Sequence, residues 1–343
     1  MTPVTAEPAQ RGTPSVLELP GASDRLRARL AEGLTAVNAL IEARVDHEDP
    51  FIAEAGAHLT AAGGKRFRPL LTLLAAELGD GIDERVVAAA AGVELTHLAS
   101  LYHDDVMDEA DVRRGAPSAN AAYGNSTAIL VGDLLFGTAS DIVADLGPEA
   151  VKIQAQTFVR LCSGQIRDDR PAPEGVDPVD HYLGVLADKT GVLIATAARY
   201  GAMFSGCDAA TVETMREFGE RLGVAFQLAD DLIDIASDAS ETGKTPGTDL
   251  REGVDTLAVL RAKESTDPAD ARLLELLHAD LSADEEGVAE ALTLLRVHPA
   301  LEQAREETYA VAGAARALLD PLPSSDAKSA LQALALSVVD RVG

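Results

Sequence analysis

The chain has 343 residues, with 29 Lys and Arg against 56 Asp and Glu, giving a formal net charge of −27 at pH 7. That length can bury a sizeable core, and 47% apolar with 25% charged residues is the composition of a folded globular chain. The sign of the charge excludes a nucleic-acid partner and docking on anionic lipid through a basic face. Aromatic residues are 3%, Trp is absent and Ala and Leu abound, so the expected class is all-α. The two cysteines, Cys162 and Cys207, are too few for a disulfide framework or a zinc site and fit a reducing cytoplasmic setting.

Residues 1–20 are rich in Pro, Thr and Glu and lack the basic start and apolar stretch of a signal peptide, so they read as a disordered tail. From Gly21 onward the apolar residues recur at helical spacing. The spacing predicts helices over 22–46, 49–62, 69–79, 83–109, 117–123, 125–146, 148–167, 177–187, 189–206, 208–237, 253–264, 268–279, 283–296, 299–318 and 324–341. Most connections are short and carry Gly or Pro; the one after Asp108 and the stretch 237–253 are longer. No repeat and no composition break divides 21–343, which reads as one antiparallel helical bundle. No apolar run reaches 18 residues, so no membrane-spanning segment is expected. Gly243-Lys244-Thr245 resembles the end of a P-loop, but Asp238 stands where the upstream glycine belongs and no strand precedes it.

The informative pattern is a repeated acidic one. Asp104, Asp105 and Asp108 form D-D-x-x-D, and so do Asp230, Asp231 and Asp234. On a helix, positions four apart share a face, so Asp104 with Asp108 and Asp230 with Asp234 project together. Each cluster closes a long apolar run, at the helix end where the dipole is negative and where Lys or Arg is the favoured choice. Two such placements call for a compensating cation. Carboxylates are hard donors, too few here for a full protein cage, which points to Mg²⁺ sharing its shell with water and phosphate oxygens. A solvated acidic surface is the plainer alternative.

Basic residues weigh against that alternative because they gather beside the acids. Gly63-Gly64-Lys65-Arg66-Phe67-Arg68-Pro69 places three cations after a Gly-Gly turn, Arg113-Arg114-Gly115 follows the first acidic motif, and Lys189-Thr190 and Lys244 add isolated cations. Metal on one side and Lys/Arg on the other suit a diphosphate.

These segments, with HLASLYHDDVMDEADVRRG (97–115), GD (132–133), GQIRD (164–168), DKT (188–190), FGERLGVAFQLADDLID (218–234) and TGKTPGTDLREG (242–253), resemble the all-trans polyprenyl diphosphate synthases. The likeness runs from about Leu26 to Arg341. It implies antiparallel helices around a deep central cavity, a homodimer, and the head-to-tail condensation of isopentenyl diphosphate with an allylic prenyl diphosphate. It implies that Asp104, Asp105, Asp108, Asp230, Asp231 and Asp234 hold about three Mg²⁺ ions on the allylic diphosphate. Arg113, Lys189 and Lys244 match the cations on that diphosphate, with Thr190 and Gln227 nearby. Lys65, Arg68, His97 and Arg114 match the residues that bind isopentenyl diphosphate. Two positions depart from the pattern: Val254 stands where relatives often carry Lys, and Gln165 where many long-chain relatives carry Glu. Terpene cyclases, and non-catalytic subunits or prenyl-lipid-binding proteins of the same fold, are the alternatives; they usually lose the second aspartate motif or the basic set, and this chain keeps both. A geranylgeranyl or farnesyl diphosphate synthase is the alternative within the activity.

The growing tail is expected to run from Asp104 back along its helix past Ser100 and Ala99, then Thr96, then Val93 and Gly92. Short-chain relatives carry a bulky aromatic at the position of Ala99 or Ser100, and both are small here. From Asp104 to Gly92 is roughly 18 Å, room for around four isoprene units, so a product above C20 is expected. Phe136 and Phe158 are candidate floors deeper down. The chain is expected not to be an integral membrane protein, although its product would be lipophilic.

Overall fold

Local chemistry starts many of the helices. Ser23 and Asp83 accept hydrogen bonds from the backbone N–H three residues on, Asp177 caps two N–H groups, and Pro50, Pro178 and Pro299 occupy first-turn positions where no N–H is needed. The computed structural model describes residues 19–168, 170–236 and 246–340. In chain order these contain α1 (Asp24–Val45), α2 (Pro50–Ala61), α3 (Phe67–Ala76), α4 (Glu84–Met107), β1 (Val112–Arg113), β2 (Ala116–Pro117), α5 (Ala119–Tyr123) and α6 (Asn125–Ala144). There follow α7 (Pro148–Asp168), α8 (Pro178–Leu186), α9 (Val192–Phe204), α10 (Ala209–Ala236), α11 (Thr248–Glu252) and α12 (Leu257–Lys263). The chain closes with α13 (Ala271–Leu277), α14 (Glu285–Val297), α15 (Pro299–Leu318) and α16 (Asp326–Ser337). The fold is all-α, as the composition implies.

α4 and α9 are buried on nearly every side, which is what helices apolar all round require. α4 packs on α3, α6 and α9, and α10 packs on α9 and α15, so two long buried helices deliver their acidic ends to one region. One contiguous apolar core joins all these layers.

Four features differ from the periodicity reading. Leu19 is buried in the core and its carbonyl accepts from Arg27 Nη1 at 3.2 Å, so order begins before residue 21; residues 1–18 lie outside the described residues. The connection after α4 holds the hairpin β1–β2, whose two-residue loop Arg114-Gly115 has positive φ at both positions (55° and 77°). A two-residue hairpin of this kind usually carries Asn-Gly, so Arg-Gly gave no signal. The stretch 237–253 contains α11, and α12 begins at Leu257 rather than 253. Finally, no break separates α8 from α9; a π turn over 187–191 joins them.

One helix among the described residues, α6, is long and apolar enough to cross a membrane, which periodicity had not suggested. It carries Asp133 and Asp141, and one face packs on α4 while Leu130 (66% exposed), Ile129 and Leu134 face outward. Val159 (65%) and Ile166 on α7 are exposed as well.

Candidate active site

Two cavities of about 640 and 370 Å³ share His97, Leu101, Arg114 and Gln227 as walls and so form one cleft. The first is lined by Asp230, Asp231, Asp234 and Asp249 with Arg113; the second by Asp104, Lys65, Arg68, Lys189 and Thr190, with Ser100, Leu161, Leu193, Phe67 and Phe226 below. The two acidic motifs therefore meet across one space, with the cations around its rim. Glu252, between them, feels both Asp108 and Asp234, and this, after burial, raises its pKa.

Within each motif the aspartates divide by the helical periodicity. Asp105 is fully buried: its Oδ2 accepts from Ala119 N at 2.7 Å and its Oδ1 from Arg113 Nε. Asp231 repeats this arrangement, with Oδ1 accepting from Gln227 Nε2 at 2.9 Å and Oδ2 from the Tyr182 hydroxyl. Both oxygens of each middle aspartate are thus committed to protein donors. Each lies about 100° round the helix from the first aspartate of its motif. Asp104 and Asp108 stand together at the end of α4, and Arg113 Nη2 reaches Asp108 at 3.3 Å. Asp234 accepts from the N–H groups of Thr248 and Asp249, both at 3.2 Å, and so caps α11, whose own N-cap residue, Gly247, has no side chain to do so.

Burial, then the Asp108 charge, pushes Asp104 up to about 6 against the pull of Lys189 and Arg113. Burial, with Asp230 and Asp168 behind it, pushes Asp231 up to about 6 despite its two hydrogen bonds. Asp249 goes to about 8, from burial and from Asp231, Asp234, Glu252 and Asp168. So much negative charge with so few cations fits a divalent ion: hard oxygen donors on two helix ends that lack a positive counterpart. Among the described residues no three His, Cys, Asp or Glu side chains stand at ligand spacing.

The stability consequence has a definite sign. Asp249 holds its proton in the folded chain up to about pH 8 and loses it near pH 4 when unfolded, so stability falls as pH rises through that window. His97, held neutral, opposes this only below its ordinary pKa of 6.5. Between about pH 6.5 and 9, metal-free protein is expected to lose a few degrees of melting temperature, less so in Asp249→Asn, and Mg²⁺ is expected to remove the loss. Thermal melts with and without EDTA check this; a melting temperature rising over that range refutes it.

The basic half has the opposite character. Arg66 is buried and satisfied, donating to Glu94 Oε1 at 2.8 Å, Asn38 Oδ1 at 3.2 Å and Thr60 O at 3.3 Å, so it anchors the segment and leaves Lys65 and Arg68 facing the cleft. Arg114 spans the Gly-Gly turn, donating to Leu59 O (3.2 Å) and Gly63 O; a Cβ on Gly64 would come within 2.9 Å of its guanidinium, and Gly64 sits at φ 149°. Arg68 Nε is buried with no protein partner. Burial and the Arg114 charge lower Arg68, and burial with Arg68, Arg114, Arg66 and Arg113 holds His97 well below the usual histidine range. Crowded cations and an orphaned donor await an anion.

On the opposite wall Lys189 Nζ donates to Asp168 at 2.5 Å and Thr190 Oγ1 to Gln227 Oε1 at 3.4 Å. Burial lowers the lysine pKa, but Asp168, Asp104 and Asp108 outweigh it and keep the ammonium charged. Lys244 lies outside the described residues. Asp168, Tyr182, Asp249 and Glu252 are site residues that the sequence motifs did not single out; Asp168, Asp249 and Glu252 lie inside the motif segments, while nothing in the sequence marked Tyr182 as a partner of Asp231.

The residues of the expected tail route differ in their surroundings. Ser100 lines the cleft, whereas Ala99 is fully buried in the core. Thr96 is sealed, donating to Gly92 O at 2.8 Å and accepting from Gln154 Nε2 at 3.4 Å. Gly92 faces α6, where a Cβ would meet Val143 at 2.8 Å, because it lies roughly 120° round the helix from Asp104. Phe136 and Phe158 stack on each other, centroids 3.9 Å apart, across the α6–α7 seam.

Comparison with known proteins agrees with this geometry. The family model described as Polyprenyl synthetase matches residues 49–295. The nonaprenyl diphosphate synthase of Mycobacterium tuberculosis is 49% identical over 92% of this chain and 94% of its own length. A decaprenyl diphosphate synthase from Rhodobacter capsulatus superposes with a TM-score of 0.85 at 36% identity, covering 93% of this chain and 99% of the other. A geranylgeranyl pyrophosphate synthase from Corynebacterium glutamicum, solved with calcium and isoprenyl diphosphate, gives 0.84 at 44% identity over 94% and 98%. With its two facing D-D-x-x-D motifs and its basic rim, the chain belongs to the polyprenyl synthetase family, as an all-trans polyprenyl diphosphate synthase.

Proposed function

We propose that this chain is a Mg²⁺-dependent prenyltransferase that condenses isopentenyl diphosphate with an allylic diphosphate (geranyl, farnesyl or geranylgeranyl) into an all-trans polyprenyl diphosphate above C20. The observation that carries the reading is the single cleft across which the two acidic motifs meet, with cations around its rim and apolar side chains in its lining. The names of the nonaprenyl and decaprenyl relatives support the longer product. About three Mg²⁺ ions, when bound, supply the positive charge that meets the leaving diphosphate as the allylic C–O bond ionises. Asp104, Asp108 and Asp230 would hold them, and Asp105, Asp231 and Asp234, whose oxygens are bonded to protein donors, would fix the cleft around them. Lys189 and Arg113 grip the same diphosphate through N–H donors, with Thr190 and Gln227 fixing the lysine's segment. Lys65, Arg68 and Arg114 receive the isopentenyl diphosphate, and neutral His97 donates one N–H to it. Leu101, Leu161, Leu193, Phe67 and Phe226 keep water from the allylic cation, which would otherwise be quenched to an alcohol. The isopentenyl double bond attacks, and its proton passes to the departing diphosphate, so no strong protein base is required.

Incubation with farnesyl and isopentenyl diphosphates and Mg²⁺, followed by mass analysis, tests this. Products above C20 are expected; a ceiling at C15 or C20 refutes the length, and no turnover by the chain alone refutes the activity. The exposed Leu130, Leu134 and Val159 on α6 and α7 support a homodimer through this face, since apolar surface of that kind is normally covered. Leu130→Glu is expected to sediment as a monomer where the parent chain is a dimer. The half-buried free Cys162 and Cys207 support a reducing cytoplasm.

A further inference from the structure

Lys189 does not sit on an ordinary helix. α8 runs into α9 through a π turn, in which Val192 N–H reaches back to Ala187 O and one extra residue shifts the register by roughly 100°. The turn is wedged between α7 and α10: a Cβ on Gly164 would lie 2.4 Å from Lys189 N, and one on Gly223 would lie 2.7 Å from Gly191 Cα. Beside it, Asp188 turns away from the cleft and is gripped by two α7 arginines. Its Oδ1 accepts from Arg160 Nε at 2.7 Å and its Oδ2 from Arg167 Nη2. Arg160 Nη2 continues to Glu220 Oε1 on α10 at 2.6 Å, and Arg216 Nη1 closes on Glu220 Oε2 at 2.9 Å.

We propose that Asp188 is a positioning residue for the diphosphate: clamped by Arg160 and Arg167, it fixes the π turn so that the next residue, Lys189, presents its ammonium to the cleft. The inference rests on the proposed contact of Lys189 with diphosphate. With the clamp closed, Asp188 and Lys189 part along α7, Asp188 to Arg160 and Arg167 and Lys189 to Asp168, with the charges of Asp104 and Asp108 acting on the ammonium from the cleft. These arginines are about 40% exposed, so their ion pairs contribute little to overall stability. Their effect belongs to the aim of one side chain.

Calorimetric titration of the full chain with inorganic pyrophosphate in Mg²⁺ tests this. Asp188→Asn and, independently, Arg160→Gln are expected to weaken pyrophosphate by about 10-fold while the melting temperature stays within about 3 °C. Lys189→Ala is expected to weaken it at least as much, and adding Asp188→Asn to Lys189→Ala to cause no further loss, because both act through one ammonium. A further loss in the double variant, or unchanged affinity in Asp188→Asn beside a weakened Lys189→Ala, overturns the positioning role alone. Unchanged affinity in Lys189→Ala overturns the lysine's contact and the positioning role together.

Discussion

Asp104→Asn is expected to lower kcat/KM on the order of 10³-fold, while Asp105→Asn costs on the order of 10-fold. The two residues are neighbours in sequence and identical in chemistry, so the gap rests on geometry. Asp104 lines the cleft, and burial with Asp108 beside it pushes its pKa to about 6, the state of a carboxylate short of positive charge. Asparagine there removes a charge that a divalent ion would use directly. Asp105 has both oxygens taken, by Ala119 N–H and Arg113, and serves the cleft by holding the hairpin β1–β2 and its arginine in place. Steady-state rates across a Mg²⁺ titration separate the two: the Asp105 variant should recover most of its rate at high Mg²⁺ and the Asp104 variant should not. Equal losses with equal recovery would show that both carboxylates serve in the same way.

Ser100→Phe is expected to shorten the dominant product to within about two isoprene units of the reacting carbon, because a ring there obstructs the wall about 6 Å below Asp104. The cavity it enters is only about 370 Å³, with Leu161 and Leu193 opposite. Turnover of short allylic substrates should persist, since no diphosphate contact changes. Ala99→Phe is a different experiment: Ala99 is fully buried in the core, and a ring there overpacks it at a cost of about 1–3 kcal/mol. Product analysis by chain length and thermal melts of both variants distinguish them. An unshifted product in Ser100→Phe would mean that the tail leaves by another wall.

The chemistry was largely legible in the chain itself. Two D-D-x-x-D runs at the ends of apolar helices, together with cations concentrated beside them in a chain of −27 net charge, are local patterns, and helical periodicity decides that Asp104 and Asp108 share a face. The same periodicity gave most helix positions, because buried helices keep their apolar spacing whatever they pack against. The hairpin at Arg114-Gly115 and the π turn at 187–191 escaped it, since neither Arg-Gly nor Asp-Lys-Thr carries a backbone signal strong enough to announce itself.

What the sequence determined, then, was which side chains are available and how neighbours within one helix are oriented. What only the tertiary structure decided was their partners across helices: Tyr182 with Asp231, Asp234 with the start of α11, Asp188 with α7, and Ser100 rather than Ala99 at the wall. The physical reason is one of range. Propensity and periodicity act over a few residues, whereas the burial and mutual charge that push Asp249 to about 8 arise from groups brought together by packing from α7, α10 and α11.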